Sequence, residues 1–335
     1  MRVEADRLLI VLLGAIGDVT RALPLAQRLR RGYPEAQITW AVEPLSAPLL
    51  ENHAAIDRRV VFDRRGGAPA FLRFLSEIRR LRPDLTLDLQ RHLKSGVTSL
   101  FSGARVRLGF ARHDAREGNW LFNNHHIEPQ LHLSSKLHQF LRFADWLELA
   151  PAAIDFGLQL SDVEAARVEA LLADQRAPFV AAFVGSSCDS RLWFPDRTAA
   201  VAERLAQRGV GTVLVGGPGD VGFARQVAET ARAPITNLTG RTSLRDLIGI
   251  FRRSAAAWGP DSGPMHIAAA SGARVVSLWG ATSAKRSAPW GSEAGVIEGP
   301  APCSPCYLKH CTIGQVCMQN IAVDAVVAKL AAAIA

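Results

Sequence analysis

The chain has 335 residues, 48% of them hydrophobic, and 39 Lys and Arg against 31 Asp and Glu give a formal charge of +8. That length suits two domains of ordinary size, and the composition excludes a disordered chain. No apolar run approaches the roughly 20 residues that span a bilayer, and with 7% aromatics and no basic run interleaved with aromatics a nucleic-acid module is not expected.

The positive charge is carried mostly by Arg, whose planar fork suits phosphate and carboxylate, so an anionic membrane surface or polyanionic substrate is the expected partner. Residues 8–16 have the apolar character of a signal-peptide core. Glu4 and Asp6 before them, and Asp18 and Arg21 after, favour a strand and a cytosolic protein.

The apolar run 7–13, the turn Gly14-Ala-Ile-Gly17-Asp18 and the amphipathic segment near 23–31 read as strand, glycine turn and helix. Strands follow at 37–42 and 85–89, with helices at 71–81 and 93–100; between 101 and 132 the pattern weakens into Arg-, His- and Asn-rich loops. A helix is expected at 133–147, and 149–156 reads as a linker. The alternation then restarts with the capping box Ser161-Asp-Val-Glu164, which opens a helix to about 172. Strands are expected at 179–183, 211–215, 255–258 and 274–278, with helices near 196–208, 223–231 and 244–253 and a last helix at 323–334. Strands alternating with helices predict parallel sheets covered on both faces. The expected organisation is two Rossmann-like domains, 1–155 and 156–320, a closing helix at 321–335, and a cleft between the domains.

In the first loop Asp18 stands at the carboxyl end of a strand, where α/β sheets place ligands; it either caps the helix or serves as a general base on an acceptor hydroxyl. Arg91 and Lys94, with Arg112, Arg116 and Lys136, would give this half a basic face; scattered surface cations are the plainer reading. In the second half, Gly185-Ser186-Ser187 followed by Arg191 offers hydroxyls, N–H groups and a guanidinium to a diphosphate. Val215-Gly-Gly-Pro-Gly-Asp220 lets a ligand approach the backbone, while Asp220 caps the next helix or accepts from a ribose.

The most informative stretch is Gly259-Pro-Asp-Ser-Gly-Pro-Met-His-Ile-Ala-Ala-Ala-Ser-Gly272. Asp261 and Ser262 are N-cap types, Pro264 fits a first helical turn, and Gly272 fits a helix end at positive φ. Such a helix start presents N–H groups to phosphate, with Gly263 and His266 beside it. Cys303, Cys306, Cys311 and Cys317 crowd one segment: a loop of reduced thiols, a zinc knuckle or a disulfide.

Together these residues resemble the bacterial heptosyltransferases of glycosyltransferase family 9, which build the inner core of lipopolysaccharide. The matching pieces are Gly17-Asp18 with Leu23-Pro24, Asp88-Leu-Gln90 with Lys94-Ser95, Arg105 to Gly109 with Arg116-Glu117, Gly216-Gly-Pro-Gly219, Asn237-Leu-Thr-Gly240, the 259–272 segment and the cysteine block. The resemblance implies a GT-B fold and an inverting transfer from ADP-heptose with no cofactor and no catalytic metal. It makes Asp18 the general base and places Arg191 at the donor phosphates, although Arg191-Leu-Trp-Phe-Pro195 departs from the family's common basic-Trp-Pro. It lines the donor with Ser186, Ser187, Asp220, Asp261, Ser262, Gly263 and His266. The implied acceptor is an anionic lipid-linked glycan, reached at the inner face of the cytoplasmic membrane. Another nucleotide-sugar or glycan acceptor, or a non-catalytic binding protein on the same scaffold, are the alternatives.

Overall fold

A computed structural model describes residues 3–129, 135–175 and 178–335. The chain divides into two compact units, Met1–Gln159 and Leu160–Ala335.

The first unit runs β1 (Arg7–Val11), α1 (Ile16–Gly32), β2 (Gln37–Val42), β3 (Arg58–Val61), α2 (Gly67–Leu81), β4 (Leu85–Asp88), α3 (Leu93–Ser102), β5 (Val106–Phe110), β6 (His125–Ile127) and α4 (Lys136–Trp146). Its six strands are parallel in the order β3-β2-β1-β4-β5-β6. β1 is flanked on both sides and is buried from Leu8 onward, which is why it reads as a continuous apolar run and does not alternate. Buried Phe74, Leu75 and Ile78 of α2 pack on Leu9, Val11 and Val60. Arg28 of α1 is buried because Asp145 of α4 takes its charge at 2.8 Å and the Leu149 carbonyl accepts at 2.6 Å.

The second unit repeats the plan: α5 (Asp162–Leu171), β7 (Phe179–Phe183), α6 (Pro195–Ala206), β8 (Gly211–Val215), α7 (Val221–Thr230), β9 (Ile235–Asn237), α8 (Leu244–Arg253), β10 (Ala256–Pro260), α9 (Gly263–Ala270), β11 (Val275–Trp279), α10 (Ala284–Ser287), β12 (Val296–Glu298), α11 (Val316–Gln319) and α12 (Val323–Ile334). Its order, β12-β11-β10-β7-β8-β9, is that of the first sheet. The expected capping box forms, with Ser161 Oγ accepting from the Glu164 N–H while the Glu164 carboxylate accepts from the Ser161 N–H. Val326, Val327 and Leu330 bring α12 into the core of this unit, packed with Leu205, Val276 and Trp258.

The structure adds strands that the sequence pattern did not announce. β5 and β6 lie within the expected loop region, and β3, β9 and β12 are further additions; three of the five are only three residues long. The expected helix at 133–147 is observed as Lys136–Trp146, and Leu133 and Ser134 lie outside the described residues.

Both sheets reverse their winding beside the first strand of the unit, between β1 and β4 and between β7 and β10. Loops leaving the carboxyl ends of such a strand pair diverge and leave a crevice, the usual ligand position in open α/β sheets. Most of the expected site residues leave the sheets at these two points, whereas Arg112 and Arg116 follow β5 and Asp220 follows β8.

Candidate active site

In the first unit the loop after β1 is held from across the switch point. Gln90 Oε1, just beyond β4, accepts from the Leu13 and Gly14 N–H groups at 2.8 and 3.2 Å. Gln90 rests in turn on Asp88, whose fully buried carboxylate accepts from the Gln90 N–H at 3.1 Å and from Asn119 Nδ2 at 2.6 Å. Burial among neutral donors pushes the Asp88 carboxyl above its ordinary value, although the hydrogen bonds from Asn119, Ser95, Asn123 and Gln90 oppose that rise.

Asp18 falls in the first turn of α1, where Ala15 is the N-cap residue. Its carboxylate caps nothing. Oδ1 meets Arg21 at 2.5 Å, and Lys136 Nζ reaches Oδ1 and Oδ2 at 2.8 and 3.0 Å. Burial alone would raise the Asp18 pKa, but the charges of Arg21 and Lys136 and their hydrogen bonds outweigh it and hold the carboxyl far below its usual range. Arg21 is nearly enclosed, at 9% side-chain exposure, whereas Lys136 keeps 27%.

One turn along α4 from Lys136, Gln139 accepts from Arg91 at 2.6 Å, and the Arg91 guanidinium lies 3.7 Å over the Phe110 ring. Arg91, expected to meet an acceptor, is therefore also a strut between β4 and α4. The Arg116 N–H donates to the Arg91 carbonyl at 2.9 Å, bringing the 111–118 loop beside it. Lys94 and Arg116 are exposed, and so is Arg112, whose guanidinium faces the Trp120 ring at 5.3 Å. The expected acceptor cations thus lie on the segments after β4 and β5, with Arg91 tied through Gln139 to α4, the helix that carries Asp18's partner Lys136.

In the second unit the corresponding pair is Arg191 and Asp261. Arg191 ends the turn after β7, Asp261 follows β10, and they form an ion pair at 3.0 Å that Thr282 Oγ1 completes by donating to Asp261 at 2.6 Å. Ser262 is the N-cap residue of α9, yet its side chain caps nothing: Oγ is buried with no hydrogen-bond partner among the described residues, as is Arg191 Nε. A buried hydroxyl at a helix start, beside N–H groups left over from the helix, is arranged for an incoming acceptor atom. Gly263 and buried His266 complete the first turn, and Gly272 after the helix has φ +86°.

Asp220 is the N-cap residue of α7 but its side chain does not cap that helix; Oδ2 accepts instead from the Gly217 N–H at 2.8 Å, closing the turn before it. A Cβ on Gly185 would stand 2.1 Å from Asp220 Oδ2, so the loops after β7 and β8 touch at a point that only glycine permits. Burial raises the Asp220 pKa, with the Gly217 N–H opposing it. Ser186 Oγ accepts from the Cys188 N–H at 3.2 Å, and Ser187 is exposed. Apart from Asp220, which follows β8, the expected donor residues lie on the loops and helix start that follow β7 and β10.

The cysteines form no metal-sized cluster: no group of three or more His, Cys, Asp or Glu among the described residues is placed to hold a metal ion, and all are free thiols. Burial pushes the Cys317 thiol up, and the neighbouring thiols add to the rise. Their segment acts as a buttress. The Leu308 carbonyl accepts from Ser190 Oγ at 2.6 Å and the Lys309 carbonyl from the Ser190 N–H at 3.2 Å, next to Arg191. The Tyr307 N–H donates to the Ala281 carbonyl at 2.7 Å, next to Thr282. The 303–317 loop thereby braces both halves of the Arg191–Asp261 pair. Arg21, Lys136, Gln90 and Thr282 complete the two sites; of these the sequence marked Lys136 as one cation of a basic face and Gln90 as part of a matching segment, but neither as a site residue.

Residues 71–317 match the family profile glycosyltransferase family 9 (heptosyltransferase). The chain is 26% identical over 301 residues to the lipopolysaccharide core heptosyltransferase OpsX of Haemophilus influenzae, covering 88% of this chain and 85% of that one. Among solved structures it is similar to a glycosyl transferase family 9 protein from Veillonella parvula, with TM-score 0.85 at 18% identity, covering 100% of this chain and 98% of that one. It is also similar to the ADP-heptose lps heptosyltransferase II of E. coli, with TM-score 0.80 at 20% identity and 98% of both chains covered. These likenesses fit the two parallel six-stranded sheets and place the fold in the GT-B class.

Proposed function

Since the chain belongs to glycosyltransferase family 9, we propose that it transfers heptose from ADP-heptose to a hydroxyl of the lipid A-linked inner core of lipopolysaccharide, with inversion at the anomeric carbon. The observation that carries this reading is the pair of switch-point sites, a carboxylate in one unit and a guanidinium with a helix N-terminus in the other. The relatives' names supply the donor and acceptor: OpsX is named for the lipopolysaccharide core and the E. coli enzyme for ADP-heptose.

In this reading the acceptor oxygen forms a bond to the anomeric carbon as the bond to the β-phosphate breaks. The electron pair leaves with ADP and the hydroxyl proton goes to Asp18. Arg191 and the N–H groups opening α9 meet the charge that develops on the departing diphosphate. Ser262 Oγ donates to a phosphate oxygen, and Thr282 and Asp261 keep Arg191 aimed. We assign no cofactor and no catalytic metal to this chemistry.

A carboxylate held by two cations is a weak base. Lys136 is the more exposed of the two, and an anionic acceptor draws it away, restoring basicity to Asp18 when substrate is in place. Arg91, Lys94, Arg112 and Arg116 are assigned to the acceptor's anionic groups. No helix of the described residues is long and apolar enough to cross a membrane. A lipid-linked acceptor therefore implies work at the inner face of the cytoplasmic membrane by peripheral contact.

A thermal-shift screen of nucleotide-sugars tests the donor, because a ligand that binds only the folded state raises apparent stability. ADP-heptose and ADP are expected to raise Tm and UDP- or GDP-sugars to leave it unchanged; a shift with a different nucleotide alone would replace the donor.

A further inference from the structure

The first unit exposes an apolar ridge that the transfer chemistry does not use. On α3 the outward residues Leu93, Val97, Leu100 and Phe101 recur at one helical face. Val97 packs at its base against the core, while Leu93, Leu100 and Phe101 are 45, 44 and 50% exposed. The turn Asn119–Phe122 lies against the same helix, close enough that a Cβ on Gly96 would stand 2.8 Å from Phe122, and it adds Leu121 at 66% exposure. Grouped exposure of Phe and Leu on a soluble surface marks an interaction site.

The ridge has a basic margin. A Cβ on Gly103, two residues beyond Phe101, would collide with the Arg79 guanidinium, so Arg79 of α2 lies over the end of α3. Arg79, Arg80, Arg82 and Arg105 line a pocket of about 910 Å³ there, together with Glu4, Asp6 and Asp84. Asp84 is already engaged by Arg7 at 3.5 Å and by the N–H groups of Asp6 and Arg7. Glu77, the one acidic residue of α2 and α3, pairs with Arg58 at 2.8 Å. Arg79, Arg80 and Lys94 have no carboxylate partner among the described residues.

We propose that the outward face of α3, with Leu121 and the arginines ending α2, is the surface by which this protein docks on an anionic lipid bilayer. Apolar side chains rimmed by unpaired guanidinium groups match the boundary between acyl chains and anionic headgroups, where burial and charge attraction add. Continuity with the acceptor loop supports the same partner, since α3 begins two residues after Arg91. The proposal rests on the lipid-linked acceptor of the proposed function and names the surface that reaches it.

Co-sedimentation of the intact protein with vesicles provides the test. Vesicles of phosphatidylethanolamine and phosphatidylglycerol are expected to bind the protein, and phosphatidylcholine vesicles to leave it in solution. Leu100→Ser with Phe101→Ser should cut binding roughly tenfold or more, and Arg79→Gln with Arg80→Gln should weaken it and flatten its salt dependence. Both variants should transfer heptose normally to a water-soluble, deacylated acceptor. Leu121→Ser, at a more exposed site, replaces the first pair if that pair lowers Tm. Unchanged binding in the variants, no binding by the wild type, or an oligomer that the apolar substitutions dissociate without affecting vesicles would overturn the proposal. Vesicle binding as stated, but with no transfer to the soluble acceptor by any form, would instead sink the proposed function and leave the docking surface standing.

Discussion

At the scale of single residues, Asp18 is defined by its partners. Its folded pKa is depressed, so the stability it contributes is present above the ordinary carboxylate value of about 4 and is lost as pH falls toward the folded value. Asp18→Asn should therefore cost about 1–3 kcal/mol near neutrality, because enclosed Arg21 loses a charged partner. Denaturant unfolding of the two proteins should show that difference narrowing steadily below pH 4; a constant gap would contradict the pairing. Lys136→Ala removes one cation from the free enzyme and should move the acid limb of kcat/KM upward toward the ordinary carboxylate range while raising the acceptor KM. An unchanged pH–rate profile would mean that Lys136 does not govern the base. Asp88 has the opposite sign: its raised folded pKa contributes stability that is lost as pH rises through that value.

At the scale of elements, the close approach of β10 to β7 sets a limit on substitution. A Cβ on Gly259 would stand 2.4 Å from the Phe183 carbonyl oxygen, a backbone atom that cannot step aside. Gly259→Ala should destabilise by about 1–3 kcal/mol, read from the denaturation midpoint. The cysteine loop offers a gentler test. Ser190→Ala deletes one of its bonds beside Arg191 and should weaken ADP binding by about fivefold, the equivalent of about 1 kcal/mol, with Tm little changed. Equal ADP affinity would show that the loop does not brace the site.

The long elements were legible because their signals are local. The Ser161 capping box, the apolar run of β1 and the amphipathic α8 each advertise themselves within a few residues. β6, β9 and β12 did not, since three residues at a sheet edge carry no period and form only because a neighbour offers its hydrogen bonds. Likewise Asp261 and His266 could be read from one motif, whereas Thr282 meets Asp261 and Gln90 meets Leu13 only through the sheet. The cysteine spacing left zinc, thiol and disulfide open because the bracing contacts of that loop are made by its backbone carbonyls and N–H groups.

At the scale of the whole molecule, one strand order occurs twice, and each copy places its polar loops at its own switch point. The same strand order with different loop chemistry gives one unit a carboxylate held by cations and the other a guanidinium beside a helix start, the division of labour that the proposed transfer would use. Hydrogen exchange of the intact chain should show ADP protecting residues 184–191 and 261–266 while leaving 12–21 unchanged; protection confined to 12–21 would invert the assignment. The most direct measurement of the central claim is single-turnover transfer of heptose from ADP-heptose to the lipid A-linked core acceptor by wild type and Asp18→Ala. Wild type should form the heptosylated product, and Asp18→Ala should be slower by about 10²–10⁴-fold with unchanged ADP-heptose affinity. Wild-type rates in Asp18→Ala, or no product from the wild type, would contradict the account.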